Sequence, residues 1–351
     1  MCAYQPTGVV EIMVVGRYGQ VKNIVVLRPG ALGDVLVCRH LLHWLMNAFP
    51  EARIAFVAPG ERGRLFRQFG LAHISFDWEN AAFSWLFSHG DAPPPPLLHT
   101  LFEPGTLVFA YLDLAGEEAQ AFQKRLSTIN TPLFLFLSPS RPADGSGVYI
   151  GAWLVQKAIR YCQMQQFVFV SPHDASEVRL GYDKAGASLT VDAEQDASVL
   201  VVHPGSGSAK KNWPLPSFAA LVSLLMSAGE EVGLRRIRIV AGEAEAGLGA
   251  ALAATLSEAE LIEQPPLVEL TKIMAGAGLY LGSDSGVSHL AAAARTRAGV
   301  KPRVAAVFGP SDPLVWAAPG TLVLEAGGMM DALSPEMAFT SLQHYFFPSC
   351  E

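Results

Sequence analysis

What most constrains this chain is an alternation of short β-branched runs and amphipathic stretches, played through twice. NIVVLR (23–28), RIAFVA (53–58), HISF (73–76), TLVFAYL (106–112) and PLFLFL (132–137) read as buried strands. Between them, DVLVCRHLLHWLMNAF (34–49) and ERGRLFRQFG (61–70) have helical spacing and stop at Pro50 and Gly70. After SLTVDAEQDA (188–197) the pattern restarts. SVLVVHPG (198–205), RRIRIVAG (235–242), GLYLGSDSG (278–286) and RVAAVFGP (303–310) are strands running into glycine turns. Helical stretches at 218–229, 244–256 and 287–299 separate them. Strands alternating with helices make right-handed βαβ units and parallel sheets. The expected fold class is therefore α/β: two Rossmann-like domains with parallel sheets facing a cleft. The boundaries expected are 1–195 and 196–351, with the last helix able to pack back on the first domain. HGDAPPPP (89–96) reads as a stiff surface loop.

A chain of 351 residues exceeds what one core usually covers. Its net charge of −7 argues against broad binding to nucleic acid, which needs a positive field. Cys2, Cys38, Cys162 and Cys350 form no CxxC pair and suit neither zinc nor a disulfide framework. A reducing, cytoplasmic setting follows. MCAYQPTGVVEIMVV lacks the pattern of a signal peptide, and no stretch reaches 18 uninterrupted apolar residues. His40 and His43 share a helical face, and packing is favoured over a metal for them. No DxD pair is present, and no metal site is expected.

In open α/β sheets the ligand sits at the carboxyl ends of strands, so the turns after strands carry the information. In HPGSGSAKKNWP (203–214), Gly205 and Gly207 let backbone N–H groups approach an anion. Ser206 and Ser208 add hydroxyls, and Lys210 and Lys211 add charge. These residues fit a diphosphate site, or a turn with a solvated lysine pair. In GSDSGVSHL (282–290) a helix is expected from about Ser285, with Asp284 as N-cap. The N–H groups of Ser285, Gly286 and Val287 would then face an anion. His289 falls one turn in, either packed or in the site. FGPSDP (308–313) lines the same place or only makes the turn. Glu243 and Glu245 in VAGEAE are candidates for ribose hydroxyls, or first-turn helix acids. In RPGALGDVL (28–36), Asp34 reads as the N-cap or N1 acid of helix 34–49. Its place after the first strand would also let its carboxylate take a proton from a hydroxyl.

RPGALGDVL, HPGSGSAKKNWPLPSFAAL, GSDSGVSHLAAA and AAVFGPSDP, in that order, resemble glycosyltransferase family 9, the bacterial heptosyltransferases of lipopolysaccharide core assembly. The resemblance implies a GT-B fold, with acceptor bound by the first domain and nucleotide sugar by the second. It implies inverting, metal-independent transfer from ADP-heptose, with no cofactor. By motif match, Asp34 is similar to the family's general base, and Lys211 to the lysine that meets the phosphate. Asp284, Ser285, Gly286 and His289 fall on the donor motif DTGxSH, with Ser285 replacing the usual threonine. Glu245 registers with the family glutamate, and Glu243 is a departure. The first twenty residues and the loop 89–96 have no counterpart.

The mechanism expected is direct displacement: Asp34 takes the acceptor proton, and ADP leaves toward the helix N-terminus at 285–287, Lys211, Ser206 and Lys210. An anionic glycolipid or glycan acceptor would need a local basic surface, for which Arg62, Arg64 and Arg67 are candidates beside the alternative of a solvated face. The protein would then work at the cytoplasmic face of the inner membrane, with peripheral contact and no nucleic-acid partner. The alternatives are a GT-B transferase using another nucleotide sugar, and a non-catalytic nucleotide-binding relative. A sugar-nucleotide epimerase lacks a convincing acid/base pair.

Overall fold

The computed structural model describes residues 21–130, 133–143, 145–167, 187–229, 231–256 and 258–348. The chain divides into two compact units. The first comprises the described residues of Met1–Gly30, Val37–Ala143 and Ile150–Tyr182, and the second those of Ala31–Leu36, Asp144–Tyr149 and Asp183–Glu351.

The first unit holds β1 (Asn23–Leu27), β2 (Arg53–Ala58), β3 (Ile74–Asp77), β4 (Leu107–Tyr111) and β5 (Phe134–Ser138), paired parallel in the order β3-β2-β1-β4-β5. Both faces of this sheet are covered, which explains the nearly continuous apolar strands. One face packs Val25, Leu27, Val57, Val108 and Ala110 against Phe83, Leu86, Phe102, Phe122 and Leu126. On the other, Phe109, Phe136 and Tyr161 meet edge to face or tilted.

The helix expected over 34–49 is two helices, α1 (Leu32–Leu36) and α2 (Cys38–Ala48). The break at Val37 falls where the packing partners change. Among the described residues the remaining α-helices of the first unit are α3 (Gly60–Gln68), α4 (Ala81–Ser84), α5 (Pro96–Leu101), α6 (Gly116–Ile129) and α7 (Ile150–Met164). α2 packs on α7, while α1 belongs to the second unit. The proline loop is shorter than expected, because Pro96 opens α5 at N1, where a missing N–H costs nothing. Arg125 anchors that loop: Nε donates to the Ser88 carbonyl at 3.0 Å, and the guanidinium lies 4.6 Å over the Trp85 ring.

In the second unit, β6 (Leu189–Val191), β7 (Asp196–His203), β8 (Arg236–Ala241), β9 (Ala259–Glu263), β10 (Ala277–Ser283), β11 (Ala294–Thr296), β12 (Arg303–Phe308) and β13 (Thr321–Glu325) alternate with helices. These helices are α8 (Leu215–Ser227), α9 (Ala246–Thr255), α10 (Leu267–Ala275), α11 (Gly286–Ala293), α12 (Pro313–Trp316) and α13 (Pro335–Phe346). The main sheet is parallel, ordered β13-β12-β10-β7-β8-β9. Its two edge strands, β9 and β13, were not among the expected ones. AELIE and TLVLE lie at the rim, mostly half-buried, and lack the long apolar runs of the interior strands. The helix expected over 287–299 ends at Ala293. Ala294 turns extended, and Ala294–Thr296 pairs with Leu189–Val191 in a two-stranded sheet. α13 packs on α8 and β13 of this unit.

Candidate functional site

Three strands of the second unit deliver the motif turns from their carboxyl ends. β7 ends at His203 and runs into the Gly205–Lys211 turn. Trp213 anchors that turn: it is 1% exposed, packs 5.1 Å from Phe218, and its indole N–H donates to the Leu333 carbonyl at 3.2 Å. Pro214 then precedes α8. With the turn pinned there, Lys211 reaches across to β10. Its Nζ donates to Asp284 Oδ2 at 2.7 Å, with Lys211 34% and Asp284 7% exposed. Lys210 is exposed. Ser206 is buried and folds the turn itself, with Oγ at 2.7 Å from the Ser208 carbonyl and 2.9 Å from Asn212 Oδ1.

Asp284 is not the N-cap that its position suggested. Ser285 is: it has extended dihedrals, and its Oγ accepts from the Ser288 N–H at 3.4 Å. Asp284 sits one residue earlier, donating its own N–H to the Val307 carbonyl at 2.9 Å, so its carboxylate is left to hold Lys211. The N–H groups of Gly286 and Val287 open α11, and a helix start carries about half a positive charge. Asp284 and Lys211 therefore meet at a helix N-terminus, where backbone dipole and ammonium add. His289 is buried in this helix.

β8 delivers the third turn. Glu245 holds the N-cap position of α9 but makes no side-chain cap bond, and its side chain lies over two glycines instead. A Cβ at Gly205 would fall 2.1 Å from Glu245 Cγ, and one at Gly242 would fall 2.8 Å from Oε2. Glu245 thus borders the Gly205 turn, while Glu243 is exposed. FGPSDP makes its turn for a local reason, since Asp312 Oδ1 caps α12 by accepting from the Leu314 N–H at 2.9 Å.

His203, the last residue of β7, stands beside these turns without belonging to any of the motif roles. Its ring is buried, and Nδ1 stands 3.4 Å from Ser285 Oγ. Burial pushes its pKa down to about 4, so it is neutral behind the α11 cap. Behind it, Tyr280 Oη meets Ser288 Oγ at 3.0 Å, and Ser288 Oγ donates to the Ser283 carbonyl at 2.6 Å. The available signal was a histidine closing an otherwise apolar strand.

Asp34 lies in α1 and belongs with the second unit. It is neither N-cap nor N1. The helix starts at Leu32, and the Ala31 carbonyl accepts from the Val35 N–H at 3.1 Å. Asp34 is the third helical residue, and its Oδ2 accepts the Ala31 N–H at 3.2 Å, half of a capping box. Its side chain is half-buried.

The three arginines of α3 part company. Arg62 is half-buried, and Nη1 donates to the Gly30 carbonyl at 2.8 Å. Arg64 and Arg67 are exposed, one turn apart, on the face opposite Leu65 and Phe66. Asp77 nearby accepts the N–H groups of Gly60 (2.8 Å) and Glu79 (3.0 Å), which hold its carboxyl below the usual range, with a smaller pull from Arg64. His43 is engaged by Asn47 one turn on, with 3.3 Å between Nε2 and Nδ2. Among the described residues no three His, Cys, Asp or Glu side chains gather as a metal ligand set. None of the described helices is long and apolar enough to cross a membrane.

Residues 154–328 match the model of glycosyltransferase family 9 (heptosyltransferase). Three solved structures share the fold. The E. coli heptosyltransferase WaaC with ADP is 15% identical, with 92% of this chain and 99% of that one covered and a TM-score of 0.61. A glycosyltransferase family 9 protein from Veillonella parvula is 14% identical, covering 93% and 98% at 0.63. The E. coli ADP-heptose lps heptosyltransferase II is 16% identical, covering 92% and 98% at 0.59. A search of curated protein sequences finds no match.

Proposed function

We propose, from the premise that residues 154–328 belong to glycosyltransferase family 9 and that the chain is a glycosyltransferase, that it moves a heptose from ADP-heptose to a hydroxyl of a lipopolysaccharide-core-type acceptor, with inversion and without a metal. The observation that carries this reading is the Lys211–Asp284 pair at the N-terminus of α11. Departing ADP gains negative charge as the bond from the anomeric carbon to the diphosphate oxygen breaks. Fixed N–H groups and an ammonium already held in place stabilise that charge without reorganising, which is where such donors contribute most. Lys211 keeps contact with Asp284 in the free site and turns donors toward the diphosphate when it binds. Lys210, exposed on the same turn, adds charge. Glu245, bordering the Gly205 turn, takes ribose hydroxyls.

On the opposite face of the sugar, an acceptor oxygen attacks the anomeric carbon, and its proton passes to the Asp34 carboxylate. Positioned base catalysis of this kind contributes about 10²–10⁴-fold. The acceptor, an anionic glycolipid or glycan, is assigned to the first unit, with Arg64 and Arg67 as the cations facing solvent there. The donor is a substrate, and no cofactor enters the reaction. The setting is the cytoplasm, in peripheral contact with the inner membrane.

The test is thermal unfolding with ADP, UDP, GDP and ADP-heptose, each with EDTA present. A ligand at about a hundred times its Kd adds about 2.7 kcal/mol, a readily measured shift. Selective stabilisation by ADP and ADP-heptose is the expected result. A preference for UDP or GDP would replace the donor while keeping the transferase, and no response to any nucleotide would favour a non-catalytic relative.

A further inference from the structure

α1 is a five-residue helix, too short to be stable unless something holds it. It counts with the second unit, although Gly30 before it and Val37 after it count with the first. The chain enters it through Gly30 at φ +148°, a conformation that side chains disfavour. Within the second unit α1 packs on α11, and the contact is backbone on backbone. A Cβ built on Gly286 would lie 2.7 Å from the Gly33 amide nitrogen and 2.7 Å from Leu32 Cβ. Neither atom is the yielding end of a flexible side chain, so a methyl there must push α1 away. The reverse substitution is milder: a Cβ on Gly33 would meet Gly286 Cα and His289 Cδ2 at 3.5 Å, ordinary van der Waals contact.

We propose that Gly286 is a positioning residue: its contact with Gly33 seats α1 on the N-terminus of α11 and fixes Asp34 relative to the donor groups of that helix. The proposal rests on the reading of Asp34 as base and of α11 as the diphosphate site. Asp34 follows Gly33 directly, so the contact sits one residue from the carboxylate, and Gly286 supplies the first N–H of α11. One glycine pair therefore sets the geometry between proton acceptor and leaving-group site. Proximity catalysis is sensitive to such spacing: a displacement of about an ångström costs on the order of 10²-fold in rate.

The experiment compares Gly286→Ala, Gly33→Ala and Asp34→Asn in the full chain, measuring kcat for transfer, the Kd for ADP and the Tm. Gly286→Ala is expected to lower kcat about 10²-fold with ADP affinity within about threefold of wild type, and Gly33→Ala to lower kcat less than about tenfold. Unchanged kcat in Gly286→Ala overturns the seat. A parallel loss of ADP affinity also overturns it, because the glycine would then serve the diphosphate itself. Equal losses in the two glycine variants overturn it too, since the contact is asymmetric. Should Gly286→Ala fail to fold, Gly33→Val takes its place, because its branched methyls extend past a Cβ already in contact with Gly286 Cα: a lowered kcat with ADP affinity kept supports the seat, and an unchanged kcat overturns it. Asp34→Asn separates the two levels. If it keeps turnover, the assignment of the base falls. If it is inactive while Gly286→Ala behaves as wild type, only the seat falls.

Discussion

The turns of the second unit and the basic face of α3 in the first are both built from cations, yet they are organised in opposite ways. Lys211 is tied to Asp284 at a helix start, and Glu245 lies over the Gly205 turn. Arg64 and Arg67 point outward from a helix whose buried face is Leu65 and Phe66. Under the proposed function the difference follows from what each would recognise. A diphosphate is small and compact, and charge held at a fixed point in a partly buried turn meets it without reorganising. A large anionic acceptor can be met by exposed charges that are screened and adaptable. The second unit thus holds its charges at fixed points, and the first leaves Arg64 and Arg67 exposed to solvent.

If that contrast is real, the second unit should register what happens behind its turns. His203 stands directly behind the α11 cap, and burial holds its pKa at about 4, below the ordinary 6.5. The folded chain therefore refuses a proton that the unfolded chain accepts between those values. Above pH 6.5 the group contributes nothing to the balance. As pH falls from 6.5 toward 4, stability is lost, reaching about 3 kcal/mol at pH 4. Urea unfolding of wild type and His203→Asn at pH 7 and pH 4.5 checks this. The variant should lose markedly less stability on acidification, and equal losses would mean that the ring is not buried as described.

A smaller effect is expected at the ion pair. Lys211→Met leaves a carboxylate that is only 7% exposed without its ammonium. A fully buried pair broken on one side costs several kcal/mol, but Lys211 is a third exposed and water replaces part of it, so about 1–2 kcal/mol is expected. ADP should stabilise this variant less than wild type. Adding Asp284→Asn should recover part of the stability but not the ADP response. If Lys211→Met changes neither quantity, the turn is no better organised than the α3 surface, and the comparison fails.

The contrast also explains which parts were legible in the sequence. Interior strands such as NIVVL and LYLGS announce themselves because both faces are buried and the apolar run is continuous. The edge strands AELIE and TLVLE do not, because they lie mostly half-buried at the rim and lack such runs. The motif turns were legible as places on the fold: Lys211 meets Asp284 beside Ser285, and Glu245 borders the Gly205 turn, all on one unit. Their local roles were less so. Asp284 and Ser285 both suit an N-cap, and only the backbone decides that Ser285 takes the cap while Asp284 takes the lysine. The segment DVLVCRHLLHWLMNAF keeps helical spacing across Val37, so its division into α1 and α2, a tertiary effect, leaves no mark in the periodicity.

The smallest effects should come from α3, and they sharpen the comparison by splitting its arginines. Arg64→Ala with Arg67→Ala removes two exposed charges and no buried contact, so stability should stay within about 0.5 kcal/mol. Asp77 keeps the two backbone N–H groups that dominate its environment, and loses only the weaker attraction of Arg64. In a transfer assay the pair should raise the KM for an anionic acceptor and leave the KM for the donor unchanged, more clearly at low salt, since exposed charges act through a screened field. Arg62→Ala should behave differently. Its guanidinium donates to the Gly30 carbonyl at the turn leading into α1, and losing that bond should cost about 1 kcal/mol, visible as a lower midpoint in urea. Were all three arginines to shift stability alike, α3 would be a structural element like the turns of the second unit. Were the double variant to leave the acceptor KM unchanged, its charges would face solvent and nothing else.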